Sequence, residues 1–260
     1  MNFIQSIASA TARHRFGLIC VHLCASVANS SLLNGVSRIG AHSSRTRPPC
    51  LRASVVILFF LCGLCLCADK PSTYSNDFHD AKPGPVAEEM MVLNGSFTIG
   101  EAGDKKFLEL AGQPIESDGL LFGPADAQGG QVSARIFATS TGRRFPEVGI
   151  GLGDVAGYKL WFEPGQSKIE LRQGDQTLAS ASYSEWKTGT WTSLSLRVSK
   201  SSSGVLLQGK AWPADGKEPA NWTIEGHAAE PLAVGHCSLW GTPYSGTAIR
   251  FDDLKYSAPQ

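Results

Sequence analysis

From Asn94 to the C-terminus, apolar and polar residues alternate with a period close to two, the pattern of strands that bury one face. Residues 131–138, QVSARIFA, put Val132, Ala134 and Ile136 on one side. In 158–162, YKLWF, Tyr158, Leu160 and Phe162 share a side and Trp161 falls out of phase with them. Residues 168–172 set Ile169 and Leu171 against Lys168, Glu170 and Arg172, and 194–198 set Leu194, Leu196 and Val198 against Ser195 and Arg197. The same reading predicts strands at 96–100, 106–110, 147–152, 176–182, 204–212, 235–240 and 249–256. Turn signals lie between them at Pro164-Gly165, Gly174-Asp175, Ser203-Gly204 and Asp215-Gly216. Residues 85–91, PVAEEMM, read as a turn or two of helix, and no longer helical stripe occurs. Many short strands with polar outer sides predict an all-β fold of two packed antiparallel sheets, a jelly-roll sandwich. The absence of a long internal repeat argues against a propeller or solenoid.

The chain changes character near residue 68. No Asp or Glu precedes Asp69, while Arg13, Arg15, Arg38, Arg45, Arg47 and Arg52 all do. The remaining 17 Lys and Arg face 23 Asp and Glu, so the body carries −6 and the neutral total is the sum of two opposite regions. A mildly acidic body is a poor partner for nucleic acid, which needs clustered cations. Cys20, Cys24, Cys50, Cys62, Cys65 and Cys67 precede the break and only Cys237 follows it, so the body stands on its core without an internal disulfide. Cys237 alternates with Leu239 and is expected to be a buried thiol. The uncharged stretch Ala53–Ala68, ASVVILFFLCGLCLCA, follows three arginines and ends in small residues, as a secretory signal does. Its 16 residues fall short of the roughly 20 that span a bilayer. The expectation is a disordered leader or mis-called start at 1–50, a hydrophobic export helix at 51–68 and one folded domain at 69–260. The protein is then secreted or periplasmic; the alternative is a membrane anchor made by residues 53–68 left uncleaved.

Two segments and one strand carry a family resemblance. They are Trp212-Pro213-Ala214-Asp215-Gly216-Lys217-Glu218-Pro219-Ala220-Asn221-Trp222, the closing strand Ile249-Arg250-Phe251-Asp252-Asp253-Leu254-Lys255-Tyr256, and the W-x-x-L-x-L-x-V strand opened by Trp191. Over about residues 74–258 they resemble bacterial extracellular domains of the concanavalin A-like lectin/glucanase superfamily, the laminin-G-like jelly rolls. In the paired-strand motif, Pro213 ends the ladder and Asp215-Gly216 makes the turn. Trp212 and Trp222, at strand ends, are expected to close one end of the hydrophobic core. The resemblance implies a convex back sheet and a concave front sheet that commonly binds glycans.

Three kinds of site are expected on that frame. Tryptophan rings stack on the apolar faces of pyranoses while polar neighbours bond the hydroxyls. Trp161, Trp186 and Trp240 are the ligand-binding candidates, for a glycan or cell-surface polymer. A structural Ca²⁺ is the second, because similar jelly rolls hold one with an acid of the last strand and groups near the first. Asp252, Asp253 and Asp77 are its candidate ligands here. Glycoside hydrolysis is the third, and the related glucanases carry E-x-D-x-x-E on one strand. Here Glu116-Ser117-Asp118 is followed by Gly119, Leu120 and Leu121, so the motif is incomplete. A non-catalytic secreted binding module is therefore the leading expectation. The alternatives are a glycan-acting hydrolase with dispersed carboxylates and an adhesion domain that binds protein.

Overall fold

The structure is a computed structural model, and it describes residues 73–113, 116–229 and 234–259. The leader expected at 1–50 and the export helix expected at 51–68 lie outside those residues. Among the described residues the strands form two antiparallel sheets. The larger has nine strands, ordered β14 (Ile224–Ala228), β13 (Gly204–Pro213), β12 (Thr190–Ser201), β7 (Gly130–Ala138), β16 (Ile249–Ser257), β5 (Lys105–Leu110), β4 (Phe97–Ala102) and β2 (Gly84–Pro85). Its ninth strand, β1 (Thr73–Asn76), also pairs with β16, so the first and last strands lie together. The smaller has seven, ordered β11 (Gln176–Ser182), β10 (Lys168–Gln173), β9 (Tyr158–Glu163), β8 (Glu147–Leu152), β15 (Cys237–Thr242), β6 (Asp118–Phe122) and β3 (Met91–Asn94).

The alternation read from the sequence sets the inner faces. In β7 burial alternates residue by residue, with Val132, Ala134 and Ile136 inward. They pair with Leu196, Leu194 and Thr192 of β12, which face the same way. On the smaller sheet, Tyr158, Leu160 and Phe162 of β9 pair with Leu152, Ile150 and Val148 of β8. The two inner faces meet directly, since a Cβ on Gly209 of β13 would stand 2.7 Å from Leu160 Cδ1 of β9. Phe122, Tyr158, Phe162, Phe251 and several leucines are fully buried between the sheets. Each such side chain contributes roughly 1.5–3 kcal/mol relative to exposure. Cys237 lies among them as a free, fully buried thiol, with burial pushing its pKa up to about 12.

The structure departs from the expected elements in three places. Residues 85–91 form no helix: a single turn, Met90 N to Ala87 O at 3.0 Å, joins β2 to β3, and Met90 drops into the core. Residues 118–122, DGLLF, form a strand without alternation because every position is buried. Strand β14 starts at Ile224, so Trp222, expected at a strand end, lies two residues outside it.

Candidate functional site

Each sheet has an outer side, and the out-of-phase residues of the strands build it. On the smaller sheet, Trp161 pairs with Gly149 and Glu170, and Trp240 pairs with Gly149 and Gly119. The glycines act as floor. A Cβ on Gly149 would lie 2.6 Å from the Trp161 ring, and one on Gly119 would lie 2.7 Å from the Trp240 ring. Cations cap the rings: Lys159 Nζ stands 3.7 Å from the Trp240 centroid, and Arg172 Cζ stands 5.2 Å from that of Trp161. Trp161 Nε1 donates to Glu147 Oε2 (3.1 Å) and Trp240 Nε1 to Ser238 Oγ (2.9 Å). Trp161 is only 6% exposed, whereas Trp240 is half-buried.

Two buried carboxylates share this side. Lys168 Nζ reaches Glu170 Oε1 at 2.7 Å and Glu163 Oε2 at 3.3 Å. Arg172 Nε donates to Glu170 Oε2 at 2.7 Å, and its Nη2 donates to Glu163 Oε1. Burial alone pushes the Glu170 carboxyl up, but hydrogen bonds from Lys168 and Arg172, with their charges, outweigh it and leave the pKa below the ordinary value. The hydrogen bond to Glu170 raises Lys168 in return. A glycosidase needs one carboxyl with its pKa raised, to donate a proton. Glu170 is moved the other way, and Glu163 shares the same two cations. These two acids sit beside an aromatic ring and share the Lys168 and Arg172 cations.

Trp186 sits apart from both. Its ring meets Phe162 at 6.4 Å and Phe145 at 6.1 Å, edge-on, and packs against the core. It does the core-closing work that the motif suggested for Trp212 and Trp222. Those two are corrected by the structure: both are half-buried on the outer side of the larger sheet. Pro213 and the turn after it carry the chain outward, so the rings never reach between the sheets.

The outer side of the larger sheet is the open one. Its ladders run Trp212–Ser193–Arg135–Asp252 and Lys210–Ser195–Ser133–Lys255 across β13, β12, β7 and β16. A third row, Glu225–Gln208–Arg197–Gln131–Ser257, adds β14. Three adjoining grooves of about 200, 290 and 320 Å³ lie along these rows and share Gln131. Together they make a trough with a floor of Ser133, Ser193, Ser195 and Gln131, bordered by Trp212. Gln131 Nε2 donates to Ser195 Oγ at 2.9 Å, and Gln131 Oε1 accepts from Arg197 Nη2 at 3.0 Å. The Ser133 and Ser193 hydroxyls have no hydrogen-bond partner among the described residues. None of Trp161, Trp186 and Trp240 lines the trough.

The acids considered for calcium stand at the trough's edge. A register shift in β16 between Asp252 and Lys255, with Asp253 at φ 49, turns both aspartates toward β7. Arg135 Nη1 donates to Asp253 Oδ2 at 2.9 Å and stands 3.9 Å from Asp252 Oδ2. Burial, then the charges of Asp253 and Asp77, raise the Asp252 pKa against the hydrogen bond from Asp253 N and the charge of Arg135. Asp77 is thus within electrostatic reach of Asp252, while its Oδ1 accepts from His79 N at 3.1 Å. Arg135 supplies the positive charge where the acids converge. Among the described residues no three His, Cys, Asp or Glu side chains are grouped to hold a metal ion.

No family model matches this chain, and no curated protein matches it. Solved structures do. A Bacillus subtilis protein of unknown function with a galectin-like fold matches with a TM-score of 0.51 and 10% identity, over 72% of this chain and 96% of that one. A carbohydrate-binding module, also from Bacillus subtilis, matches at 0.46 and 11%, over 65% and 96%. The Ca²⁺-bound exoplasmic/lumenal domain of VIP36 matches at 0.49 and 11%, over 73% and 90%. The first of these likenesses shows a galectin-like sandwich fold, and an identity of 10% carries no statement about ligand.

Proposed function

We propose that this protein is a non-catalytic carbohydrate-binding module of the concanavalin A-like jelly-roll type, and that the trough on the larger sheet holds the sugar. The observation that carries the reading is a serine floor, in which the Ser133 and Ser193 hydroxyls have no partner among the described residues, beside a half-buried tryptophan. A pyranose offers an apolar C–H side and a rim of hydroxyls. Trp212 suits the first, and Ser133, Ser193 and Gln131 suit the second. The three grooves adjoin at Gln131, which suits an extended chain rather than a single small molecule. In this reading residues 51–68 export the domain at 69–260, and the ligand is a polymer met outside the cytoplasm.

The test is a glycan array probed with the purified protein, alongside its Trp212→Ala variant. Binding to a restricted set of saccharides, weakened about tenfold or more in the variant, is the expected result, since an aromatic–ligand contact is worth roughly 1–2 kcal/mol. Silence on the array with and without Ca²⁺ sinks the proposal.

A further inference from the structure

The cations around the trough fall into two groups. Arg135 and Lys210 are neutralised at close range, Arg135 by Asp253 and Lys210 by Glu218 at 2.8 Å and the carbonyl of Pro219 at 2.8 Å. Arg197 and Lys255 are not. Arg197 donates to the neutral Gln131 and lies 4.9 Å from the Trp222 centroid. The Lys255 ammonium has a carboxylate oxygen of Asp253 at 3.8 Å, beyond hydrogen-bond reach, and its side chain is 58% exposed. Both line the trough, Arg197 one groove and Lys255 the two others.

The ladder places these two cations on either side of one spot. Arg197 pairs with Gln131 across β12 and β7, and Lys255 pairs with Ser133 across β16 and β7. Gln131 and Ser133 are successive outward positions of β7, with strands roughly 4.8 Å away on each side. Arg135 lines the same trough, but its charge is taken up by Asp253 at 2.9 Å and its guanidinium stands 5.2 Å from the Trp191 centroid, so Arg197 and Lys255 carry the positive charge there. The body as a whole is acidic, so an arginine with no carboxylate partner among the described residues and a lysine paired only with Asp253 at 3.8 Å are a local feature against the background charge.

We infer that the trough selects an anionic saccharide, a chain bearing uronate carboxylates or sulfate esters, with an acidic group seated over Gln131 and Ser133 between Arg197 and Lys255. This rests on the reading of the trough as a sugar site. The acidic group accepts hydrogen bonds from the guanidinium and the ammonium, while the sugar ring keeps Trp212 and the serine floor. No covalent step is involved.

Calorimetric titration of the protein with oligogalacturonate, a sulfated dextran fragment and neutral dextran tests it. At least one anionic saccharide is expected to bind about tenfold tighter than neutral dextran, and that margin is expected to shrink as salt is raised. Arg197→Gln and Lys255→Gln are each expected to cut the anionic-to-neutral affinity ratio about fivefold, the scale of one partly exposed charge contact. Preference for oligogalacturonate assigns carboxylates, preference for the sulfated fragment assigns sulfate esters, and equal binding assigns charge alone. Neutral dextran binding as well as both anionic chains, or a ratio unmoved in both variants, overturns the inference and leaves the sugar-binding proposal standing. Failure of all three saccharides, together with a silent glycan array, removes both.

Discussion

The two outer sides of the sandwich are built from the same kinds of residue, and they behave differently. Each carries tryptophans under cations, with carboxylates close by. On the smaller sheet Lys168 and Arg172 are closed onto Glu163 and Glu170, and the rings lie on glycine. On the larger sheet the floor is serine, and two cations lack a close acid. The lesson is that a tryptophan under an arginine is not in itself a binding site. What separates structure from site is whether the polar groups already have partners inside the molecule.

That comparison is broken or sharpened by substitution. The largest effect is expected at Trp161. Trp161→Ala empties a nearly buried ring from the smaller sheet and should cost about 3–5 kcal/mol in denaturant unfolding. Trp212→Ala should cost less than about 1 kcal/mol in the same measurement and act on sugar binding instead. Equal costs for the two would erase the distinction drawn between the sides.

Arg172→Met comes next. It leaves Glu163 and Glu170 buried with Lys168 as their one cation among the described residues, beside the neutral donors Gln166 and Thr177, and about 3 kcal/mol of stability should be lost at neutral pH. The folded pKa of Glu170 is depressed, so its stabilisation is complete above the unfolded value, about 4.3, and is lost as pH falls through the folded value. The gap between Arg172→Met and the parent protein should therefore narrow below about pH 4. A gap that is constant from pH 7 to pH 3 would mean the network is not what the arginine supports.

Asp118 is the counterexample on the same sheet, an acid with no cation among the described residues. It is 2% exposed, one carboxyl oxygen has no partner among those residues, and burial followed by the charge of Glu116 raises its pKa. An acid with a raised folded pKa favours the fold below its unfolded value, about 3.9, and that advantage disappears as pH rises through the folded value. Asp118→Asn should therefore stabilise the protein by about 1 kcal/mol at pH 7 and leave it unchanged or slightly weaker at pH 3. The smallest effect is expected at Ser193→Ala, within about 0.5 kcal/mol in stability but about threefold weaker for a bound saccharide. A thermal shift as large as that of Arg172→Met would show that the serine floor is structural.

Most strands were legible because burial on one side writes itself as alternation. The run from Tyr158 to Phe162 shows this, down to the placement of Trp161 on the opposite side. Strand β6 escaped because both of its sides are covered, which leaves an apolar run with no period. The helical look of 85–91 failed because Met90 is used to plug the core from a turn. The site was less legible than the fold. The serines of the trough come from β7 and β12, which look like ordinary polar outer positions in each strand taken alone. A serine carries no signal of its own; only the alternation of Ser195 with Leu194 and Leu196 marked it as outward.

By itself, then, the sequence determined which residues point inward, because hydrophobic burial is a one-dimensional pattern on a strand of period two. It also determined that the only cysteine of the body is buried and that its charge is negative. Which outward residues become neighbours was decided by the tertiary structure alone. Ser133 and Ser195 are 62 positions apart in the chain and meet only through the register of β7 and β12. The pairing of β9 with β10 brought Glu163 to Arg172 beside Glu170, and the register of β7 and β12 left Arg197 with a neutral glutamine. Charge pairing is a three-dimensional property that falls off within a few ångströms, so composition could count the charges on each side but could not say which of them were free.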